Sequence, residues 1–171
     1  NNKYGNKSYV DVLGNKATTS SELKLLEVNL KGENRGKNGY GKTEDPATWV
    51  WTESDLIMVD LIKEFHKNGI RVIFDGVFNH SSSEHWTFNM VLADGENSKY
   101  KDWYKFTDFG QHVQITDDMS DEQAFETLIA NRKRTIYNAW GGFDSLPEFN
   151  TFNQEYKEYI FNITRKWMCG P

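Results

Sequence analysis

Ile70-Arg71-Val72-Ile73-Phe74-Asp75-Gly76-Val77-Phe78-Asn79-His80 is the stretch on which the fold turns. A nearly continuous apolar run carries Asp75 and ends in Asn79 and His80. Such a run fits a strand buried on both faces, as in a parallel sheet covered by helices. The segment before it reads as the helix that a covered parallel strand requires. Thr52 precedes Glu53, Ser54 and Asp55, a spacing that lets one hydroxyl and one carboxylate satisfy free amides of a first turn. Met58, Leu61, Ile62 and Phe65 follow at i, i+3, i+4, i+7 and form one apolar stripe. Gly69, after Lys67 and Asn68, is a stop signal.

Helix, glycine, buried strand and polar tip are half of a repeating β/α unit. In α/β barrels the polar groups at the carboxyl end of a strand sit at the mouth where ligands bind. The expected fold class is α/β: a partial (β/α)8 TIM barrel with an inserted loop domain after strand three. Its expected parts are residues 1–80 as partial barrel, 81–150 as the inserted domain and 151–171 as a helix returning to the barrel.

Asp75-Gly-Val-Phe-Asn79-His80 resembles the Asp-x-x-x-Asn-His segment that ends the third barrel strand in the α-amylase superfamily, glycoside hydrolase family 13. Three further segments strengthen the resemblance. Asp45 to Thr52 is similar to the approach to the second helix in the neopullulanase and cyclomaltodextrinase branch. Leu146-Pro-Glu148-Phe-Asn150 resembles the family's fifth conserved segment. Lys3-Tyr4, with Tyr9, resembles the Lys-Tyr-Asp-x-x-x-Tyr stretch after strand two, although Gly5 stands where Asp is expected.

The resemblance implies a retaining α-glucan hydrolase acting on starch-derived glucans or maltooligosaccharides. His80 would donate to a sugar hydroxyl, and Tyr4 would stack on the sugar ring. Asp75 would orient an active-site Arg lying beyond residue 171. The resemblance admits a calcium ion between barrel and inserted domain, with Asn79 and Glu148 as oxygen donors. Some relatives carry Lys at the Glu148 position and need no ion there. The family's nucleophile, acid/base and third carboxylate lie on later strands, so no catalytic residue is expected in this chain. Two other outcomes stay open: a barrel that has lost its carboxylates and serves as a binding or transporter-partner protein, and an α-glucan transglycosylase sharing the covalent intermediate.

Size agrees with a part rather than a whole. A complete barrel of this type takes about 250 residues, whereas this chain has 171 and starts without Met. The expectation is therefore a truncated piece without hydrolytic activity of its own. Net charge is −5 with 26% charged residues, ordinary for a soluble protein and poorly suited to nucleic acid. No apolar stretch approaches the roughly 20 residues that span a bilayer. The lone Cys169 excludes an internal disulfide. Compartment and oligomeric state leave no signature in the sequence.

The remaining segments are read from caps and periodicity. Lys31–Lys42, rich in Gly, Asn and Lys, reads as a flexible surface loop. A helix capped by Ser83 is expected through Trp86, Met90 and Val91. Ser120-x-x-Gln123 reads as a capping box opening a helix with Phe125, Leu128 and Ile129 inward. Asn153 starts a last helix whose Tyr156, Ile160, Ile163 and Trp167 share one apolar face. His66, His85 and His112 show no metal-ligand spacing and read as surface or packing residues.

Overall fold

A computed structural model describes residues 29–38 and 42–171. Lys3, Tyr4, Gly5 and Tyr9 lie outside the described residues. Helix α1 spans Glu53–Lys67. The Thr52 N–H donates to Asp55 Oδ2 at 2.9 Å, and the Asp55 N–H donates to Thr52 Oγ1 at 3.2 Å. Two donors that a helix start leaves orphaned are thus satisfied reciprocally. The chain leaves α1 through Gly69 at φ +74, a conformation that a Cβ would strain.

Residues 70–78 depart from the expected buried strand. They join no β-ladder, and Ile73 is 92% exposed. The α1 stripe is only half covered: Val59 is buried and Met58 and Ile62 are intermediate, while Leu61 and Phe65 remain exposed. The physical reason is lateral. A strand is buried by neighbours that hydrogen-bond its edges and helices that cover its faces, and among the described residues the run 70–78 has no laddered neighbour.

The hydrophobic core lies further along the chain. Helix α2, Trp86–Asp94, is buried on all sides from Trp86 to Ala93, as a helix apolar around its whole circumference must be. Its cap is His85, whose Nδ1 accepts the Thr87 N–H, and not Ser83, which sits in the turn before it. A short antiparallel pair, β1 (Phe106–Asp108) and β2 (Ile136–Tyr137), sets Phe106 opposite Tyr137. Between them runs α3, Asp121–Arg134, opened by the expected Ser120/Gln123 box. Leu128 is buried as expected, but Ala124 and Asn131 are its buried companions, and Phe125 and Ile129 stay intermediate.

Asn131 is fully buried and fully used. It accepts the Val113 N–H at 3.1 Å and donates to the carbonyls of Leu92 and Val113 at 2.8 and 2.7 Å. One side chain thereby ties α3 to the end of α2 and to the following loop.

Residues 29–38 are not the free loop that their composition suggests. Leu30 is 3% exposed and belongs to the core. Arg35 bonds the Asp94 carboxylate and the carbonyls of Leu30 and Ile115. Lys31 Nζ lies 2.8 Å from Asp121.

The last helix, α4, spans Gln154–Cys169 with Asn153 as its cap. It docks on both earlier segments. Lys166 Nζ donates to the Val50 carbonyl at 2.9 Å and sits 4.6 Å from the centre of the Trp51 ring. Trp167 meets Trp51 at 5.3 Å and Phe74 at 5.5 Å.

Candidate functional site

The chain changes character at Asn79. Beyond the unladdered run, residues 79–83 lie alongside 145–149. The Phe149 N–H donates to the Asn79 carbonyl at 2.9 Å, the Ser81 N–H to the Pro147 carbonyl at 3.0 Å and the Ser83 N–H to the Ser145 carbonyl at 2.8 Å. His80 and Glu148 form an antiparallel bridge at the centre of this contact. On its other edge the 145–150 segment bonds residues 104–105 and 138–140: the Lys105 N–H reaches the Glu148 carbonyl, and the Glu148 N–H donates to the Asn138 carbonyl at 2.9 Å. Two residues that are 68 apart in sequence, His80 and Glu148, are thus held side by side by backbone alone.

The His80 ring stacks on Trp140, with centroids 5.0 Å apart and planes 15° from parallel. Its Nδ1 is enclosed and has no hydrogen-bond partner among the described residues. An unpaired buried polar atom costs roughly 1–3 kcal/mol, so it marks a place where a partner is wanted. Trp140 is 48% exposed and starts a turn through Gly141 and Gly142, both at positive φ. An indole lying against an imidazole and open to solvent on its free side is a platform for an apolar ring face. The sequence reading passed over Trp140; its signal was a Trp followed by two glycines.

Asp75 is exposed and makes no ion pair among the described residues. Asn79 is exposed at the side chain, and its carbonyl is taken by Phe149. The Glu148 carboxylate is held by Lys105 Nζ at 2.9 Å. Calcium takes six to eight oxygen ligands. Here the one carboxylate is already paired with an ammonium, the candidate amide of Asn79 is exposed, and among the described residues no cluster of three or more His, Cys, Asp or Glu could hold a metal. Among the described residues, Asn79 and Glu148 by themselves fall short of a calcium shell. The Lys105 contribution was invisible in sequence, since a pair 43 residues apart has no local pattern.

His85 and His112 are packing residues, as expected. His85 Nδ1 lies 2.8 Å from Thr87 Oγ1, which in turn lies 2.7 Å from Tyr104 Oη. Burial among aromatic rings pushes His85 down to about 4, so it stays neutral. His112 Nε2 lies 3.0 Å from the Leu92 carbonyl. A cleft of about 520 Å³ between residues 42–55 and α4 is lined by Trp49, Tyr159, Lys166 and Trp167; none of Asp75, Asn79, His80 and Glu148 touches it.

Residues 52–170 match the family model described as alpha amylase, catalytic domain. The chain belongs to the α-amylase family. Over 109 residues it is 34% identical to neopullulanase 2 from Thermoactinomyces vulgaris, covering 63% of this chain and 16% of that protein. Over 108 residues it is 35% identical to a maltogenic alpha-amylase from Bacillus acidopullulyticus, covering 63% of this chain and 15% of that protein. A debranching enzyme from Nostoc punctiforme superposes with a TM-score of 0.50 at 28% identity, over 74% of this chain and 23% of that one. The curated relatives are α-glucan hydrolases of glycoside hydrolase family 13, and the chain spans about a sixth of their length. Their α-amylase-family fold is a TIM barrel, with which this structure agrees as a part. Among the described residues no helix is long and apolar enough to cross a membrane.

Proposed function

We propose that this chain supplies part of the glucose pocket of a retaining α-glucan hydrolase of the α-amylase family. Residues 70–78, unladdered in this structure, take the place of the third barrel strand once neighbouring strands pair with them, 81–150 that of the inserted domain after it and 151–171 that of the helix that returns to the barrel. His80 meets a sugar hydroxyl, and Trp140 offers the ring face beside it. Tyr4, in the segment resembling the stretch after strand two and outside the described residues, is the residue that the family resemblance offers for stacking on the sugar ring. Asp75 supports the site from within the strand. The two carboxyls of retaining chemistry, about 5–5.5 Å apart, belong to polypeptide outside this chain, which by itself hydrolyses nothing.

One observation carries the reading. The tip that resembles Asp-x-x-x-Asn-His falls inside the family match, and its His80 lies against a half-exposed Trp140 with an orphan ring nitrogen. Maltotriose titrated into the chain should quench Trp fluorescence. His80→Ala should weaken that binding about tenfold, the equivalent of about 1.4 kcal/mol for one lost hydrogen bond. Release of reducing sugar from starch or pullulan by this polypeptide, or binding indifferent to His80, would overturn the proposal.

A further inference from the structure

In sequence Tyr156 is one position of the α4 apolar stripe, where any large ring would serve. The structure gives its hydroxyl a specific task. Tyr156 is 2% exposed, and its Oη donates to the Phe78 carbonyl at 2.6 Å, two residues before His80. Its ring stacks on Phe149 at 4.2 Å, and the Phe149 N–H holds the next carbonyl, that of Asn79, at 2.9 Å. Residues 71–77 make no backbone hydrogen bond among the described residues. The direction in which the chain enters the tip is therefore set where Tyr156 grips it. Burial pushes the Tyr156 hydroxyl up, so it remains a donor across the working pH range.

We infer that Tyr156 is the positioning residue of the His80 tip: its hydroxyl fixes the Phe78 carbonyl, and with it the angle at which the imidazole meets Trp140. A phenylalanine would keep the stack on Phe149 and lose only this bond. The functional consequence rests on the proposed role of His80 in glucan contact; the positioning itself does not.

The test uses Tyr156→Phe in the full chain, with Tyr100→Phe as control. Tyr100 is equally buried and also loses one bond, to Glu44 at 2.6 Å, but it touches neither Phe78 nor Phe149. Two quantities are read: the imidazole proton resonances of His80, displaced by the Trp140 ring current, and the dissociation constant for maltotriose. Tyr156→Phe should move the His80 resonances toward those of an unstacked imidazole and weaken maltotriose about fivefold, the cost of one lost orienting bond. Tyr100→Phe should lower the melting temperature without moving His80. Replacing Tyr156 by p-aminophenylalanine, which restores a donor at the same place, should return the resonances. Unmoved His80 resonances in Tyr156→Phe, or an equal movement in Tyr100→Phe, would overturn the inference. A wild-type chain that ignores maltotriose while Tyr156→Phe still shifts His80 would leave the positioning standing and sink the glucan reading.

Discussion

Withdrawing calcium should leave this chain's stability where it was. Lys105 Nζ lies 2.9 Å from the Glu148 carboxylate, at the place where the family resemblance admits the ion. A ligand at a hundred times its dissociation constant stabilises a fold by about 2.7 kcal/mol. In a chain of 171 residues each kcal/mol moves the melting temperature by about 2–4 °C, so an occupied calcium site would be worth roughly 5–11 °C. The ion pair is worth less, because its side chains are 43% and 25% exposed. Pairs of that kind contribute about 0.2–1 kcal/mol. Melting followed by circular dichroism in millimolar CaCl2 and in millimolar EDTA should give the same midpoint. Lys105→Met should lower that midpoint by about 0.4–4 °C, equally in both solutions. A wild-type midpoint that rises by about 5 °C or more with calcium would refute the reasoning from the Glu148 surroundings.

Asn131→Ala strands three backbone groups around a fully buried site and should cost about 3–5 kcal/mol, read as a lower urea midpoint with an unchanged slope. His85 is lowered from 6.5 to about 4, so the unfolded chain binds its proton first as pH falls. Its contribution is full above pH 6.5 and declines between 6.5 and about 4, by at most about 1.4 kcal/mol per pH unit, in urea unfolding measured across that window. His85→Gln should flatten the decline; an unchanged pH slope would show that His85 is not its source. Gly95→Ala should destabilise by about 1–3 kcal/mol, because φ is +59 and a Cβ would meet His112 Nδ1 at 2.8 Å. An unaltered melting temperature in that variant would contradict the close approach of the His112 ring to Gly95.

Local chemistry made much of this structure legible. The Thr52 and Ser120 boxes and the Asn153 cap announce three helices, because a hydroxyl or amide three residues from its partner is a short-range pattern. The Asp75…Asn79-His80 tip was legible for the same reason. What escaped depends on partners distant in the chain. Arg35 turns a Gly- and Asn-rich stretch into a docked segment by reaching Asp94 and Ile115. His85 displaces Ser83 as a cap because its ring is also wanted among Trp86, Phe149 and Tyr159. Asn131 reads as an ordinary polar position of a helix until the carbonyls of Leu92 and Val113 are brought to it. The run 70–78 was read correctly as apolar, but its burial needs laddered neighbours that no local pattern supplies.

Residues 145–150 are stitched along one margin to the tip and along the other to the neighbourhood of Lys105 and Asn138. A seam sewn on both sides transmits tilt. A displacement of the α2–α3 lobe would therefore be carried to the imidazole of His80, and a contact made far out on that lobe would be felt at its stack on Trp140.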